Sequence, residues 1–113
     1  MKKIICAIAT VSILFSCGDK AAKPGPEAEK GFALISKSDC LTCHKIDEAL
    51  IGPSYSSVAN KYAGYSDTIV THLANKIVSG GSGVWGPVPM AQHAGISMED
   101  ARLMVHYILS QKK

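Results

Sequence analysis

Apolar positions recur with helical spacing through most of the chain beyond residue 26. Gly31, Leu34, Ile35 and Ser38 fall at i, i+3, i+4 and i+7, one face of a first helix. Glu27 and Glu29 suit its first turn, where the helix dipole favours negative charge. Gly31 weakens the helix, which points to a second backbone packed closely there. The helix must end before residue 40, and Asp39 is among the few non-glycine residues that tolerate a left-handed turn. Gly52-Pro53 breaks the chain, and Tyr55, Val58, Ala59 and Tyr62 then mark a short second helix ending at Gly64. Ser66 caps a third, with Ile69, Val70, Leu73 and Ile77 on one face and Gly80-Gly81 stopping it. Ser97 with Asp100 resembles a capping box. Behind it Ala101, Met104, Val105, Ile108 and Leu109 form the apolar face of a fourth helix. No alternating strand pattern and no internal repeat is present, so the pattern predicts an all-α fold of about four helices.

The N-terminus follows a different rule. Lys2 and Lys3 precede an apolar run from Ile4 to Phe15, the layout of a secretory signal. As a helix the run is roughly 18 Å long against a hydrocarbon core of roughly 30 Å, too short to span a bilayer. It ends in Leu14-Phe15-Ser16-Cys17, which resembles the lipobox of bacterial lipoproteins, where the signal is cut before a cysteine that receives a diacylglycerol. The polar stretch that follows, closed by Pro24-Gly25-Pro26, has the composition of a tether. The expected organisation is a signal at 1–16, a lipid-anchored tether at 17–26 and a domain at 27–113.

Signal removal changes the charge. Loss of Lys2 and Lys3 from the twelve basic side chains leaves ten against nine acidic ones. No block of like charge stands out, so neither nucleic acid nor an anionic membrane surface is an implied partner.

The chemistry concentrates in Cys40-Leu41-Thr42-Cys43-His44, a C-x-x-C-H pattern. Two thiols at this spacing can each add across one vinyl group of a haem, and the next residue brings an imidazole to the iron; the pattern is the attachment sequence of a c-type haem. The alternatives are a disulfide, a redox C-x-x-C pair or half a zinc site. A zinc site lacks its second ligand pair, and a thioredoxin-like motif needs a βαβ setting that is absent. The four cysteines then divide as Cys6 discarded with the signal, Cys17 lipidated, and Cys40 and Cys43 bound to haem. A domain this small needs a staple, and one covalent haem supplies a large apolar surface for the helices to pack on.

A second candidate ligand lies between the third and fourth helices. Prolines on both sides of Val88 hold the segment Val84 to Met90 extended, and a rigid loop that carries a thioether suits an axial ligand. Methionines are otherwise core filler, which is the expectation for Met104 and for Met98.

Together, Gly31 to Ile35, the haem motif, Gly52-Pro53-Ser54-Tyr55 and Val84 to Met90 resemble the small class I monohaem cytochromes c of bacteria, the short type that donates electrons to terminal reductases and oxidases. The resemblance covers the chain from about Glu27 to Gln111. It implies a cytochrome c fold wrapped around one haem, with His44 and Met90 as the axial iron ligands and Cys40 and Cys43 as the thioethers. It implies further that the Pro53 carbonyl accepts from the second ring nitrogen of His44, that Trp85 donates its indole N–H to a haem propionate, and that Lys76 is a basic partner for a propionate. The first and last helices should cross near Gly31, with Tyr107 among the contacts.

Two departures from the family pattern stand out. Asp39 occupies a position where glycine commonly precedes the first haem cysteine. Ala91-Gln92-His93 follows the methionine, where the family has prolines and an asparagine that bonds the methionine sulfur. His93 is then a replacement donor, a surface residue or a rival ligand, of which the surface role is preferred; His72 and His106 are expected to be ordinary helix residues. The expected function is a periplasm-facing, membrane-tethered, monomeric electron carrier that is not an enzyme. Its partners would be a respiratory reductase or oxidase and a cytochrome or quinol-oxidising complex. The alternatives are a haem enzyme or gas-binding sensor with a labile sixth ligand, or a cytochrome subunit docked in a larger oxidase or reductase.

Overall fold

The computed structural model describes residues 24–113. Helix α1 (Pro26–Lys37) starts with proline in its first turn, where the missing N–H costs nothing, and carries Glu27 and Glu29 there. It ends at Ser38 in extended backbone, and Asp39, at φ −88°, leads into a 3-10 turn at Cys40–Thr42. The left-handed turn anticipated at Asp39 does not form. Helix α2 (Tyr55–Lys61) follows, capped by Ser54 Oγ, which accepts from the Ser57 N–H at 3.1 Å. Helix α3 (Asp67–Ser79) begins after Ser66, whose side chain makes no cap hydrogen bond, and stops at Gly80 with φ +68°. Helix α4 (Met98–Leu109) is capped by Ser97, whose hydroxyl accepts from the Asp100 N–H at 3.1 Å.

A short antiparallel hairpin lies between α3 and α4. Strand β1 (Gly81–Gly83) pairs with β2 (Gly86–Met90) in the register Gly81 to Met90 and Gly83 to Gly86. Its glycines and prolines give no apolar alternation, and Pro87 and Pro89 cannot donate to a ladder, so the sequence reads as loop. The four helices still carry the architecture, and the fold is all-α as expected.

The core sits where α4 crosses α1, with α2 and α3 packed against α4. Ile35, Val70, Met104 and Val105 are fully buried. The crossing depends on Gly31: a Cβ there would strike the Leu103 carbonyl oxygen and lie 2.6 Å from its carbon and 3.1 Å from the Met104 Cα. Beside it the Phe32 and Tyr107 rings pack with centroids 4.9 Å apart. Arg102 on α4 reaches α3, donating to Thr71 Oγ1 at 2.6 Å and pairing with Asp67. Met104 is core filler as expected, but Met98, at the first position of α4, is 37% exposed. The expected signal at 1–16, Cys17 and most of the tether at 17–26 lie outside the described residues. Among the described residues no helix is long and apolar enough to cross a membrane.

Candidate haem site

The 3-10 turn is short because its backbone closes on one acceptor. The N–H groups of Cys43 and His44 both donate to the Cys40 carbonyl, at 3.2 and 3.0 Å. This curls Cys40, Cys43 and His44 together onto one cavity. The loop beyond is tied down in turn: Gly52 N–H donates to Cys43 O at 2.8 Å, Tyr55 N–H to Lys45 O at 2.9 Å and Ser56 N–H to Ile46 O at 2.9 Å.

That loop sets the histidine. His44 Nδ1 lies 2.8 Å from the Pro53 carbonyl oxygen. A carbonyl can only accept, so Nδ1 carries the proton and Nε2 keeps its lone pair free, the arrangement a metal-binding imidazole requires. The ring lies against bare backbone: a Cβ on Gly52 would sit 2.8 Å from Nδ1. Gly52, a chain break and part of the Gly52-Pro53-Ser54-Tyr55 motif in the sequence, is thus also the surface on which the His44 ring lies. Tyr55 stacks on His44 with ring centroids 5.6 Å apart.

The cavity measures about 340 Å³, within the usual range for small-molecule sites. Every helix contributes apolar lining: Ile35 from α1, Val58 from α2, Leu73 and Ile77 from α3, Met104, Val105 and Ile108 from α4. All seven residues singled out in the sequence, Cys40, Cys43, His44, Pro53, Lys76, Trp85 and Met90, line this one cavity. A smaller groove of about 160 Å³, walled by Phe32 and Tyr107, holds no cysteine or histidine. Met90 ends β2 and is seated by Gly80, where a Cβ would come within 2.5 Å of the Met90 carbonyl oxygen. Lys76 Nζ lies against Gly81, 3.3 Å from where a Cβ would stand. Lys61 Nζ sits 5.6 Å from the centroid of the Trp85 ring and links α2 to the hairpin, a contact unmarked in the sequence.

The titratable groups reflect an apolar enclosure. Burial raises the Cys40 thiol above its ordinary value, and the Asp39 carboxylate adds to the effect. Burial also raises the Tyr55 phenol, helped by Cys40 and Tyr107. An acid whose folded-state value is raised stabilises the fold below its unfolded value of about 10 and loses that contribution as pH climbs through the folded value. Tyr55→Phe removes that liability. Its helical circular dichroism should therefore persist to higher pH than that of the unmutated protein in an alkaline titration, and an unchanged midpoint contradicts the assignment.

His93 differs from the surface residue anticipated. Its side chain is only 19% exposed, and its Nε2 lies 2.9 Å from Asp39 Oδ1. The two departures from the family pattern therefore meet each other. Residues 54 apart carry no spacing signal, so the pair was not legible in sequence. His72 lines the cavity from α3, and His106 Nε2 lies 3.6 Å from Glu27 Oε2.

Cys40 and Cys43 are free thiols, and among the described residues no group of three or more His, Cys, Asp or Glu side chains gathers as a metal site would need. Two thiols and a proton-fixed imidazole on one apolar cavity fit a covalent haem. The Cytochrome c family model matches residues 28–112. The chain belongs to the cytochrome c family. This cytochrome is 40% identical to cytochrome c-551 of Pseudomonas aeruginosa over 78% of its own length and 83% of the relative's. Against cytochrome c-552 of Nitrosomonas europaea it is 39% identical over 70% of its length and 76% of the relative's. The crystal structure of wild-type Nitrosomonas europaea cytochrome c552 superposes with a TM-score of 0.66 at 38% identity, covering 72% of this chain and 99% of that one. The expected small class I monohaem cytochrome with covalent haem c, an electron carrier and not an enzyme, is thus the family this chain joins.

Proposed function

We propose that this cytochrome is a single-electron shuttle on the periplasmic side of the membrane, with Cys40 and Cys43 as thioethers to haem and His44 and Met90 as the axial iron ligands. The observation that carries the reading is the His44 to Pro53 hydrogen bond on a cavity that Met90 also lines. The haem supplies a one-electron iron couple. The chain's own residues hold that group, fix the His44 proton on Nδ1 and surround the site with apolar side chains. An apolar enclosure disfavours the extra charge of the oxidised iron, and a thioether ligand favours the reduced form; both raise the potential. Trp85 and Lys76 are the proposed partners of the haem propionates. Lysine offers a point charge without the bidentate fork of arginine.

Such a protein exchanges electrons and transforms no substrate. In stopped-flow mixing with ferricyanide, the reduced protein should oxidise in one phase whose rate rises linearly with reagent, and added peroxide should not be turned over. Saturation with appreciable peroxide turnover argues for the enzyme reading instead. The proposed partners are a respiratory reductase or oxidase on one side and a cytochrome or quinol-oxidising complex on the other, met as a monomer.

The Leu14 to Cys17 pattern supports a lipid anchor on Cys17. Labelling cells with a fatty acid should mark the mature protein, and Cys17→Ala should abolish the label. A fully soluble, unlabelled native protein removes the anchor from the account.

A further inference from the structure

The segment from Met90 to His93 is held to α3 by its backbone. Gly80 admits the Met90 carbonyl and the Gln92 nitrogen at distances no Cβ would allow, and the His93 N–H reaches the carbonyls of Ile77 and Val78 at 3.2 and 3.1 Å. Nothing in those contacts fixes the segment relative to the turn that carries Cys40, Cys43 and His44. Among the described residues one side-chain hydrogen bond joins the two: His93 Nε2 to Asp39 Oδ1 at 2.9 Å, with Asp39 adjacent to Cys40. The other ring nitrogen, Nδ1, is buried and has no hydrogen-bond partner. Among the described residues Asp39 is therefore the sole polar restraint on a mostly enclosed ring that lines the same cavity as Met90.

From this placement we infer that Asp39 and His93 form a strap that positions Met90, closing the methionine segment onto the haem-bearing turn. The inference rests on Met90 being an axial ligand, as proposed above. An exposed carboxylate contributes little to global stability through such a pair. Its effect is local: a hydrogen bond that spans two segments restricts the opening of one from the other. Breaking the strap should let the methionine leave the iron more often, without unfolding the domain.

Imidazole titration of the ferric holoprotein reads that opening directly, because the probe binds only where the methionine has left. His93→Ala and Asp39→Ala should each raise imidazole affinity about fivefold or more. The double variant should show no larger effect than either single one, because the two residues act through one contact. Asp39→Asn keeps an oxygen that can accept from Nε2, and should restore most of the resistance. Arg102→Ala, which breaks the α3 to α4 tie instead, should lower the thermal midpoint while imidazole affinity stays within twofold of the unmutated protein. The strap is refuted if both single variants stay within twofold, or if their effects multiply in the double variant. Failure of the methionine reading itself is distinguishable, because the unmutated ferric protein would then lack the near-infrared sulfur-to-iron band from the outset.

Discussion

Changing Cys40 and Cys43 together to serine should abolish covalent haem, and most of the helical circular dichroism should disappear with it. The reason lies in where the helices meet. Each of α1 to α4 directs apolar side chains at one cavity of about 340 Å³ instead of wholly at one another. Left unfilled, a cavity that size costs up to about 8 kcal/mol, an upper bound because the cleft opens to water. The entire stability of a domain is about 5–15 kcal/mol. The α1 to α4 crossing at Gly31 is not expected to persist alone, because helices of 12 residues are marginal in water without the packing of a complete core. Circular dichroism of the exported double variant, melted with temperature, checks this. A cooperative transition without haem would show that the Gly31 crossing and the small core around Met104 suffice alone.

Met90→Ala has the second large effect. The ferric protein should lose its weak near-infrared sulfur-to-iron band, and the reduced protein should gain affinity for carbon monoxide. The potential should fall by on the order of 0.1 V or more, within the roughly 0.8 V that axial ligands command. His93 lies three residues further on and is the natural replacement ligand, yet its Nε2 is engaged by Asp39. The open site should therefore persist in the single variant. If Met90→Ala remains six-coordinate and the further change His93→Ala opens it, the ring has left Asp39 for the iron. An unchanged potential and band would remove Met90 from the ligand set.

How far the sequence reveals this site depends on whether its residues are neighbours along the chain. The turn from Cys40 to His44 is legible because covalent chemistry dictates the spacing, and each helix face is legible because burial imposes a 3.6-residue period. Gly31 announces the crossing, since few other reasons place glycine inside a helix. The strand at Gly86–Met90 is hidden because prolines and glycines, not alternating side chains, shape it. Ser66 has the composition of a cap without making its bond, and Met98 has the composition of core while standing in the open. Asp39 and His93 are each visible only as oddities. Their meeting is a property of the folded chain, set by how α3 and the hairpin return the segment after Met90 to the haem-bearing turn.

Carbon monoxide probes the proposed closed, two-ligand iron. The ferrous, unmutated protein at neutral pH should show no change in its visible spectrum when the gas is added, because the proposed ligands His44 and Met90 would occupy both axial positions. A prompt shift to a carbonyl spectrum would contradict the account and turn the reading toward a sensor or an enzyme.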